Sequence, residues 1–440
     1  MTSFLTNSSR FWCLVLSVMF CAFIARAQDP GTVEFDQAAD KHRKEFETLL
    51  NNKLAPRLAF PDGDANHQTI VAALKDFPAG TALIFYDYDS ESQQFRLWLV
   101  DAGGIRHYVA AKQRREELER VIAMFRRALG VEALQMTRSP HIRGTQTPFL
   151  PKSIDPLITL NEAIASLTKV LLPPPIEARL EHVRHLIVVA AGAIGTIPFA
   201  VLQPFGTKEY LIDRMSISYA ASLYELAREV KPWTPDFLPA VVVGNPDLKS
   251  ISDWEFPDLK GADEEARVIA DLIKSRPLVG AQATKDAVLD AVGTAKFLYF
   301  ATHGVADSEA SLDGSFLALA SNRAGDGKWT MREIERRYYG RTHLAVLSAC
   351  QTGLGQVYDG GIMHLARTFQ VSGVPRVVMS LWRVDDGATA DLMISFIKQL
   401  QTRDNDMMPA EALRRAMVET KKRRPEPREW APFVLFGIPR

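Results

Sequence analysis

The downstream part of the chain carries short apolar runs in which polar residues do not alternate with apolar ones. Runs of this kind are typical of strands that helices cover on both faces. We expect them to form the central strands of one sheet, at His185–Ala190, Ala240–Val243, Phe297–Ala301, Leu344–Ala349 and Val377–Leu381.

Helical periodicity fills several of the segments between those runs. In residues 261–275 the side chains of Ala266, Ile269, Ala270 and Ile273 repeat at helical spacing behind an acidic first turn, which favours a helix N-terminus. The same reasoning predicts helices at 159–172, 285–292, 361–372, 387–401 and 409–424. Strands that alternate with helices predict an α/β fold, with a mostly parallel central sheet flanked by helices on both faces.

The upstream part of the chain has a different pattern. Surface helices are expected at about 34–54 and 112–129, and a proline-rich stretch over 135–156 predicts a linker or exposed loop. Between the helices, segments rich in β-branched and aromatic residues are separated by polar turns, which predicts a small antiparallel meander. Its strands are expected at Thr81–Tyr88, Phe95–Asp101 and Ile105–Ala110.

The first residues have the features of an export signal. Arg10 precedes an apolar run from Phe11 to Ile24, and Ala25-Arg26-Ala27 supplies the small residues that signal peptidase requires. We expect residues 1–27 to be removed after Ala27, which places the mature protein in the periplasm or outside a bacterial cell. The alternative is an uncleaved membrane anchor, for which the run is short. No later stretch has the length and purity of a transmembrane helix, so no membrane span is expected in the mature chain.

The charge of the chain excludes one class of partner. Lys plus Arg and Asp plus Glu both number 52, so the formal net charge is zero. A chain without a net field has no general attraction to nucleic acid. We therefore expect no nucleic-acid partner.

The cysteines number three, Cys13, Cys21 and Cys350, and the first two lie in the segment that we expect to be removed. A lone cysteine in an exported protein is a candidate reactive thiol. The alternative is a buried, inert cysteine that packs as a small apolar residue.

Two of the predicted strands end in residues that suit acyl transfer. Phe297–Ala301 leads into Thr302-His303-Gly304, and Leu344–Ala349 leads into Cys350. If these strands are parallel, both side chains emerge at the same edge of the sheet. A thiolate beside an imidazole is a nucleophile with its acid–base partner, and a glycine lets its amide approach a developing oxyanion. Because the chain has nine histidines, a satisfied core role for His303 remains open on this pattern alone.

The same two segments carry a family resemblance. Phe300-Ala-Thr-His-Gly304 and Leu347-Ser-Ala-Cys-Gln-Thr-Gly-Leu-Gly355 resemble the catalytic motifs of CHAT domains, which are caspase-like cysteine peptidases related to separase. Further matches follow the family order at Ile197–Phe199, Gly261–Arg267, Ser380–Thr389 and Trp430–Gly437.

The resemblance spans roughly 80–440 and implies a caspase-like fold and a dyad. It implies that Cys350 is the nucleophile, that His303 is the general base and acid, and that the Gly304 and Cys350 amides bind the oxyanion. It implies no metal or organic cofactor. We accordingly divide the mature chain into a helical and meander region, 28–150, and a caspase-like CHAT catalytic domain, 151–440.

Substrate specificity is where this chain departs from the family. Many relatives carry an acidic residue after the first core strand, where this chain has Ala191, so we do not assume a preference for basic residues. Asp385 and Asp386 are candidates to bind substrate, or else they begin the helix predicted from 387. Trp382 is a candidate for the substrate pocket, or else a core residue.

These inferences lead to three functional hypotheses. The first is an exported cysteine endopeptidase that forms a thioester acyl-enzyme with a protein or peptide substrate and is switched on by an activating protein partner. Many relatives recruit partners through tetratricopeptide repeats, and no such repeat is recognisable here. The second is a non-catalytic binding or scaffold protein on the same fold, and the third is an acyl hydrolase or transferase that uses the same dyad.

Overall fold

A computed structural model describes most of the chain and confirms the predicted α/β architecture. Within the described residues, strands β1 to β14 form an 11-stranded sheet in the order β3-β2-β1-β4-β5-β14-β13-β12-β8-β6-β7 and a small sheet in the order β11-β10-β9. The described residues are 30–51, 66–112, 114–131, 158–190, 192–220, 222–227, 232–251, 254–305, 313–321, 323, 327–348, 364–382, 384, 386–402 and 407–438.

The strands include all those predicted, with ends that shift by a few residues. Their bounds are β1 Thr81–Asp89, β2 Gln94–Asp101, β3 Gly104–Lys112, β4 His185–Val189, β5 Ser216–Ala220, β6 Ala240–Pro246, β7 Pro277–Gly280, β8 Phe297–Ala301, β9 Gly304–Val305, β10 Phe316–Ala318, β11 Lys328–Thr330, β12 Leu344–Leu347, β13 Arg376–Ser380 and β14 Phe433–Gly437.

The helices flank the large sheet and likewise include those predicted. The longer ones span Pro30–Asn51, His67–Leu74, Arg115–Ala128, Leu160–Leu171, Lys260–Ile273, Lys285–Ala291, His364–Val371, Asp386–Leu400 and Pro409–Arg423. Single-turn or slightly longer helices span Pro174–Glu177, Leu211–Arg214, Tyr224–Ala227, Met331–Glu335 and Pro427–Trp430.

The large sheet consists of two halves that run in opposite directions. In the upstream half, β1, β4, β5 and β14 are parallel to one another. In the downstream half, β13, β12, β8, β6 and β7 are parallel to one another. The halves meet where β13 and β14 pair antiparallel. The carboxyl ends of the strands in one half therefore lie at the opposite edge of the sheet from those in the other half.

The meander is part of the large sheet. β1 pairs parallel with β4, from Thr81 opposite His185 to Phe85 opposite Val189, while β2 and β3 extend the sheet antiparallel. Segments on both sides of residue 150 thus build one sheet, and the division of the chain at that residue stays a prediction.

Close packing of a helix against β6 explains one of the sequence motifs. A Cβ added at Gly244 would lie 2.4 Å from the Cβ of Ala266 and 2.6 Å from the carbonyl oxygen of Ala262. Glycine on the strand and alanine on the helix Lys260–Ile273 therefore let the two backbones approach. The same helix is tied to β8 by the hydroxyl of Tyr299, which donates to the buried carboxylate of Glu265 at 2.5 Å.

Candidate active site

The ends of β8 and β12 define the edge where the predicted dyad belongs. The two strands pair in parallel, with Phe297 opposite Leu344 and Phe300 opposite Leu347. The prediction that both strands end at the same edge is therefore confirmed. Cys350, the predicted nucleophile and oxyanion donor, lies outside the described residues.

A backbone carbonyl is one of the partners that hold the His303 ring. Its ring is buried, with 4% of the residue exposed, and its Nε2 lies 2.7 Å from the carbonyl oxygen of Pro257. A carbonyl only accepts, so Nε2 carries the proton and donates. In the neutral ring the basic nitrogen is then Nδ1. In this tautomer Nδ1 keeps the lone pair that a general base requires.

The loop that supplies this carbonyl is fixed by an asparagine at the end of β6. Asn245 adopts φ 41°, a left-handed conformation that asparagine tolerates better than most residues. Its side-chain amide donates to Asp258 Oδ1 at 2.8 Å, and its Oδ1 accepts from the Leu259 amide at 3.1 Å. Both bonds hold the residues directly after Pro257, so Asn245 helps to position the carbonyl that orients His303.

Sequence reasoning did not find Pro257 or Asn245. A backbone carbonyl leaves no side-chain signature, and the turn dipeptide Asn245-Pro246 after an apolar run is a local signal that could have indicated a loop here.

Aromatic side chains extend from His303 across the same loop. The ring of Phe256 lies 5.0 Å from the His303 ring, and the Trp254 ring lies 6.2 Å from Phe256 at an interplanar angle of 17°. Trp254 also meets Phe316 edge to face at 5.8 Å. We call Trp254, Phe256 and Phe316 the aromatic strip. Its inner side rests on buried Ile251 and Val305.

The other predicted site residues lie in several environments. Gly304 begins β9 and lies opposite Leu317. Trp382 is 4% exposed, and its Nε1 donates to the carbonyl oxygen of Arg428 at 2.9 Å. Asp386 is the first residue of the helix Asp386–Leu400, and Asp385 lies outside the described residues. The substrate-binding roles of Trp382, Asp385 and Asp386 and the oxyanion role of Gly304 stay predictions.

In the sequence, Ala191 stands at the position where many relatives carry an acidic residue. The sequence comparison placed that position after β4, in the stretch Val189 to Gly192. β4 belongs to the upstream half and ends at the edge of the sheet opposite to the end of β8. The strand-end loop that contacts His303 follows β6 instead. The inference drawn from Ala191 about basic residues stays a prediction.

The described ranges lack two further kinds of feature. They contain no group of three or more His, Cys, Asp or Glu residues arranged to hold a metal ion. They also contain no helix with both the length and the apolar character needed to cross a bilayer.

The family assignment follows from comparison with known proteins. Residues 161–438 match the CHAT domain. The chain belongs to the CHAT domain family. The resemblance noted from the two motifs is thereby confirmed, and it includes both β8 and β12 with the residues that follow them.

The curated relatives that this chain matches are much longer than the chain itself. Tetratricopeptide repeat protein 28 of Homo sapiens is 28% identical over 318 residues, and that of Mus musculus is 27% identical over 317 residues. Each match covers 61% of this chain and 13% of the relative.

Among solved structures, the Saccharomyces cerevisiae separase–securin complex contains a similar fold. The alignment covers 92% of this chain and 33% of that chain, with a TM-score of 0.54 and 12% identity. At this identity the likeness concerns the fold. It covers the upstream half of the sheet as well as the CHAT match.

Proposed function

We propose that this CHAT protein is a cysteine endopeptidase that acts through Cys350 and His303. The observation that carries the proposal is the parallel register of β8 and β12. His303 follows Phe300 by as many residues as Cys350 follows Leu347, and Phe300 and Leu347 are register partners. The Nε2–Pro257 bond adds support because it gives His303 the tautomer of a base.

In the proposed reaction, the sulfur of Cys350 attacks the carbonyl carbon of the scissile peptide bond. The thiol proton passes to Nδ1 of His303, and the amides of Gly304 and Cys350 donate to the oxyanion. His303 then protonates the leaving amine as the C–N bond breaks, which leaves a thioester. Water attacks the thioester with His303 as base, and the acid product and the free thiol are released.

The Pro257 carbonyl has a defined role in this cycle. When Nδ1 takes the thiol proton, the ring becomes an imidazolium and the Nε2–H···O bond becomes charge-assisted, and so stronger. The carbonyl thus favours the charged ring.

Location and regulation are part of the proposal. The features of residues 1–27 support export with cleavage after Ala27. N-terminal sequencing of the protein from a bacterial periplasm tests this.

Control by a protein partner is supported by the fold shared with separase, which was solved in a complex with securin. The substrate is a protein or peptide.

The deciding experiment compares the full chain with its Cys350→Ala variant. Both are incubated with a proteome-derived peptide library, and new termini are read by mass spectrometry. We expect new termini only with the intact thiol, and equal far-ultraviolet circular dichroism for both proteins. Equal cleavage by the variant contradicts the proposed chemistry, while cleavage by neither protein means either that the activating partner is required or that the binding or scaffold alternative holds. Cleavage of thioesters or esters without peptides favours the acyl hydrolase alternative.

A further inference from the structure

We infer that the buried carboxylate of Glu265 and the hydroxyl of Tyr299 are positioning groups for the nucleophile, because they restrain the end of the strand that leads to Cys350. The inference rests on the proposed function and deepens it by adding residues to that same site. Glu265 belongs to the segment Gly261–Arg267, which carries part of the family resemblance but has no role in the dyad itself.

The strand register brings the hydroxyl of Tyr299 to the end of β12. Tyr299 on β8 lies opposite Val346 on β12. Ser348 follows Val346 by two residues, and side chains two apart point to the same face of a strand. Ser348 in turn stands two residues before Cys350. The hydroxyls of Tyr299 and Ser348 are therefore neighbours beside the chain that leads to the nucleophile.

Three buried polar groups meet at this place. The Tyr299 hydroxyl donates to Glu265 Oε1 at 2.5 Å, and Glu265 is 2% exposed. Burial raises the pKa of Tyr299 well above its usual range, as does the carboxylate of Glu265, whereas the nearby Ser348 hydroxyl lowers it. The tyrosine therefore keeps its proton and remains a donor to the carboxylate.

The Ser348 hydroxyl completes the chain of groups. Its Oγ is buried and makes no hydrogen bond of regular geometry with any described residue, and a buried hydroxyl without a full bond is costly. The Tyr299 oxygen, which donates its proton to Glu265, still has lone pairs that can accept from Ser348. The direction of donation therefore runs from Ser348 through Tyr299 to Glu265, and it draws the end of β12 toward the helix.

The helix that carries Glu265, Lys260–Ile273, begins shortly after the loop that orients His303. In that loop the Pro257 carbonyl accepts from His303 Nε2. One helix with its leading loop thus anchors both strand ends, the histidine side through a carbonyl and the cysteine side through Glu265. Proton transfer between a thiol and an imidazole requires hydrogen-bond reach, so release of the cysteine side should uncouple the two groups.

The test measures how the reactivity of the Cys350 thiol depends on pH, which a purely structural role would not shift. The full chain reacts with iodoacetamide over a range of pH. Alkylation is read by mass spectrometry on the peptide that contains Cys350, so that Cys13 and Cys21 do not contribute. A thiol coupled to an imidazole reacts at lower pH than an ordinary thiol, whose pKa is about 8.5.

The first comparison is between Tyr299→Phe and the matched control Tyr86→Phe. The Tyr86 hydroxyl is also buried, and it donates to the Leu171 carbonyl oxygen at 2.6 Å in the upstream half. We expect Tyr299→Phe to move the pH profile toward that of an ordinary thiol and to lower the alkylation rate at neutral pH roughly tenfold. Tyr86→Phe should lose stability but keep the profile.

The second comparison varies the other two groups. Glu265→Gln keeps an oxygen that accepts from Tyr299 and should keep most of the rate, whereas Glu265→Leu should behave like Tyr299→Phe. Ser348→Ala removes a hydroxyl that lacks a regular hydrogen bond, so it tests the chain of groups with little disturbance of the fold. It should shift the profile in the same direction by a smaller amount.

The profile of a His303→Ala variant separates this inference from the proposed function. If His303→Ala shifts the profile but Tyr299→Phe and Ser348→Ala do not, the positioning role is wrong and the dyad stands. An equal shift in Tyr86→Phe, or an equal loss in Glu265→Gln and Glu265→Leu, likewise overturns the positioning role. An ordinary thiol profile in the unmodified chain overturns both the dyad and this inference.

Discussion

The two halves of the sheet each contain a buried histidine, and the two are held in different ways. His185 begins β4 in the upstream half, and its ring nitrogens lie 2.8 Å from Ser216 Oγ and 3.0 Å from Ser218 Oγ. His303 follows β8 in the downstream half, where one nitrogen donates to the Pro257 carbonyl oxygen. Their exposed fractions are similar, 3% and 4%.

Burial alone therefore does not distinguish a structural histidine from one that we propose to be catalytic. Hydroxyl groups can donate or accept, so Ser216 and Ser218 satisfy His185 in its neutral form, and burial lowers the pKa of His185 to about 3. A carbonyl only accepts, so the partner of His303 also suits the protonated ring that a general base must form. Position matters as well, since His185 lies at the amino end of its strand and His303 follows the carboxyl end.

The largest expected effect comes from replacing each histidine in turn. His303→Ala should lower peptidase turnover and the iodoacetamide rate of Cys350, with a loss in turnover of about 10²- to 10⁴-fold. His185→Ala should leave both rates unchanged per folded molecule. It should instead lower the free energy of unfolding by about 1–3 kcal/mol, because two buried hydroxyls lose their partner.

Urea denaturation and the two rate assays on both variants measure this contrast. A His185→Ala protein that folds fully but loses turnover would show that the two halves are coupled. Unchanged turnover in the His303→Ala variant would contradict the proposal that His303 and Cys350 form a catalytic dyad.

The second effect is the dependence of stability on pH that His185 contributes in the upstream half. The unfolded chain binds a proton at His185 near its usual pKa of 6.5, whereas the folded chain binds it only near pH 3. The contribution of His185 is therefore present above pH 6.5 and is lost as the pH falls from there toward 3. The expected slope approaches about 1.4 kcal/mol per pH unit in that window.

The contribution of His185 to this pH dependence is isolated by comparing the unmodified chain with a His185→Gln variant. Urea midpoints are measured for both at several pH values. The difference between their stabilities should shrink or reverse as the pH falls below 6.5, and should stay constant above pH 7. Parallel curves across the whole range would exclude His185 as the source.

The smallest effect concerns the loop that positions Pro257. Asn245→Ala removes two hydrogen bonds from the residues after Pro257 and should lower turnover several-fold, with a loss of stability of about 1 kcal/mol. The matched control is Asn66→Ala, which removes the N-cap of the helix His67–Leu74, where Asn66 Oδ1 accepts from the Thr69 amide. The control should cost about 0.5–2 kcal/mol and leave turnover unchanged. An equal loss of turnover in both variants would mean that stability, not loop position, decides activity.

The central strands were predictable because they carry continuous apolar runs, and the observed β8 has the predicted bounds. β5 was missed for a physical reason. Its sequence, Ser216-Ile-Ser-Tyr-Ala220, alternates polar with apolar residues although the whole strand is buried. The buried serines are satisfied by His185, a pairing between segments that the local pattern does not show.

The sequence likewise predicts one part of the candidate site, because that part has a visible side chain. His303 carries a side chain whose chemistry is visible in the sequence, and the family motif places it. The Pro257 carbonyl and the opposite directions of the two halves depend on contacts between distant segments. β7 was missed because a strand that begins with Pro277 and ends with Gly280 has the composition of a turn.

The position of β14 has a consequence for how this protein is made. β14 is the last of the described strands to leave the ribosome, yet it lies between β5 and β13 and pairs with both. Until Phe433–Gly437 is synthesised, each half of the sheet presents an open strand edge, and open edges invite pairing with other chains. A chain that stops shortly before β14 should therefore expose both edges and aggregate.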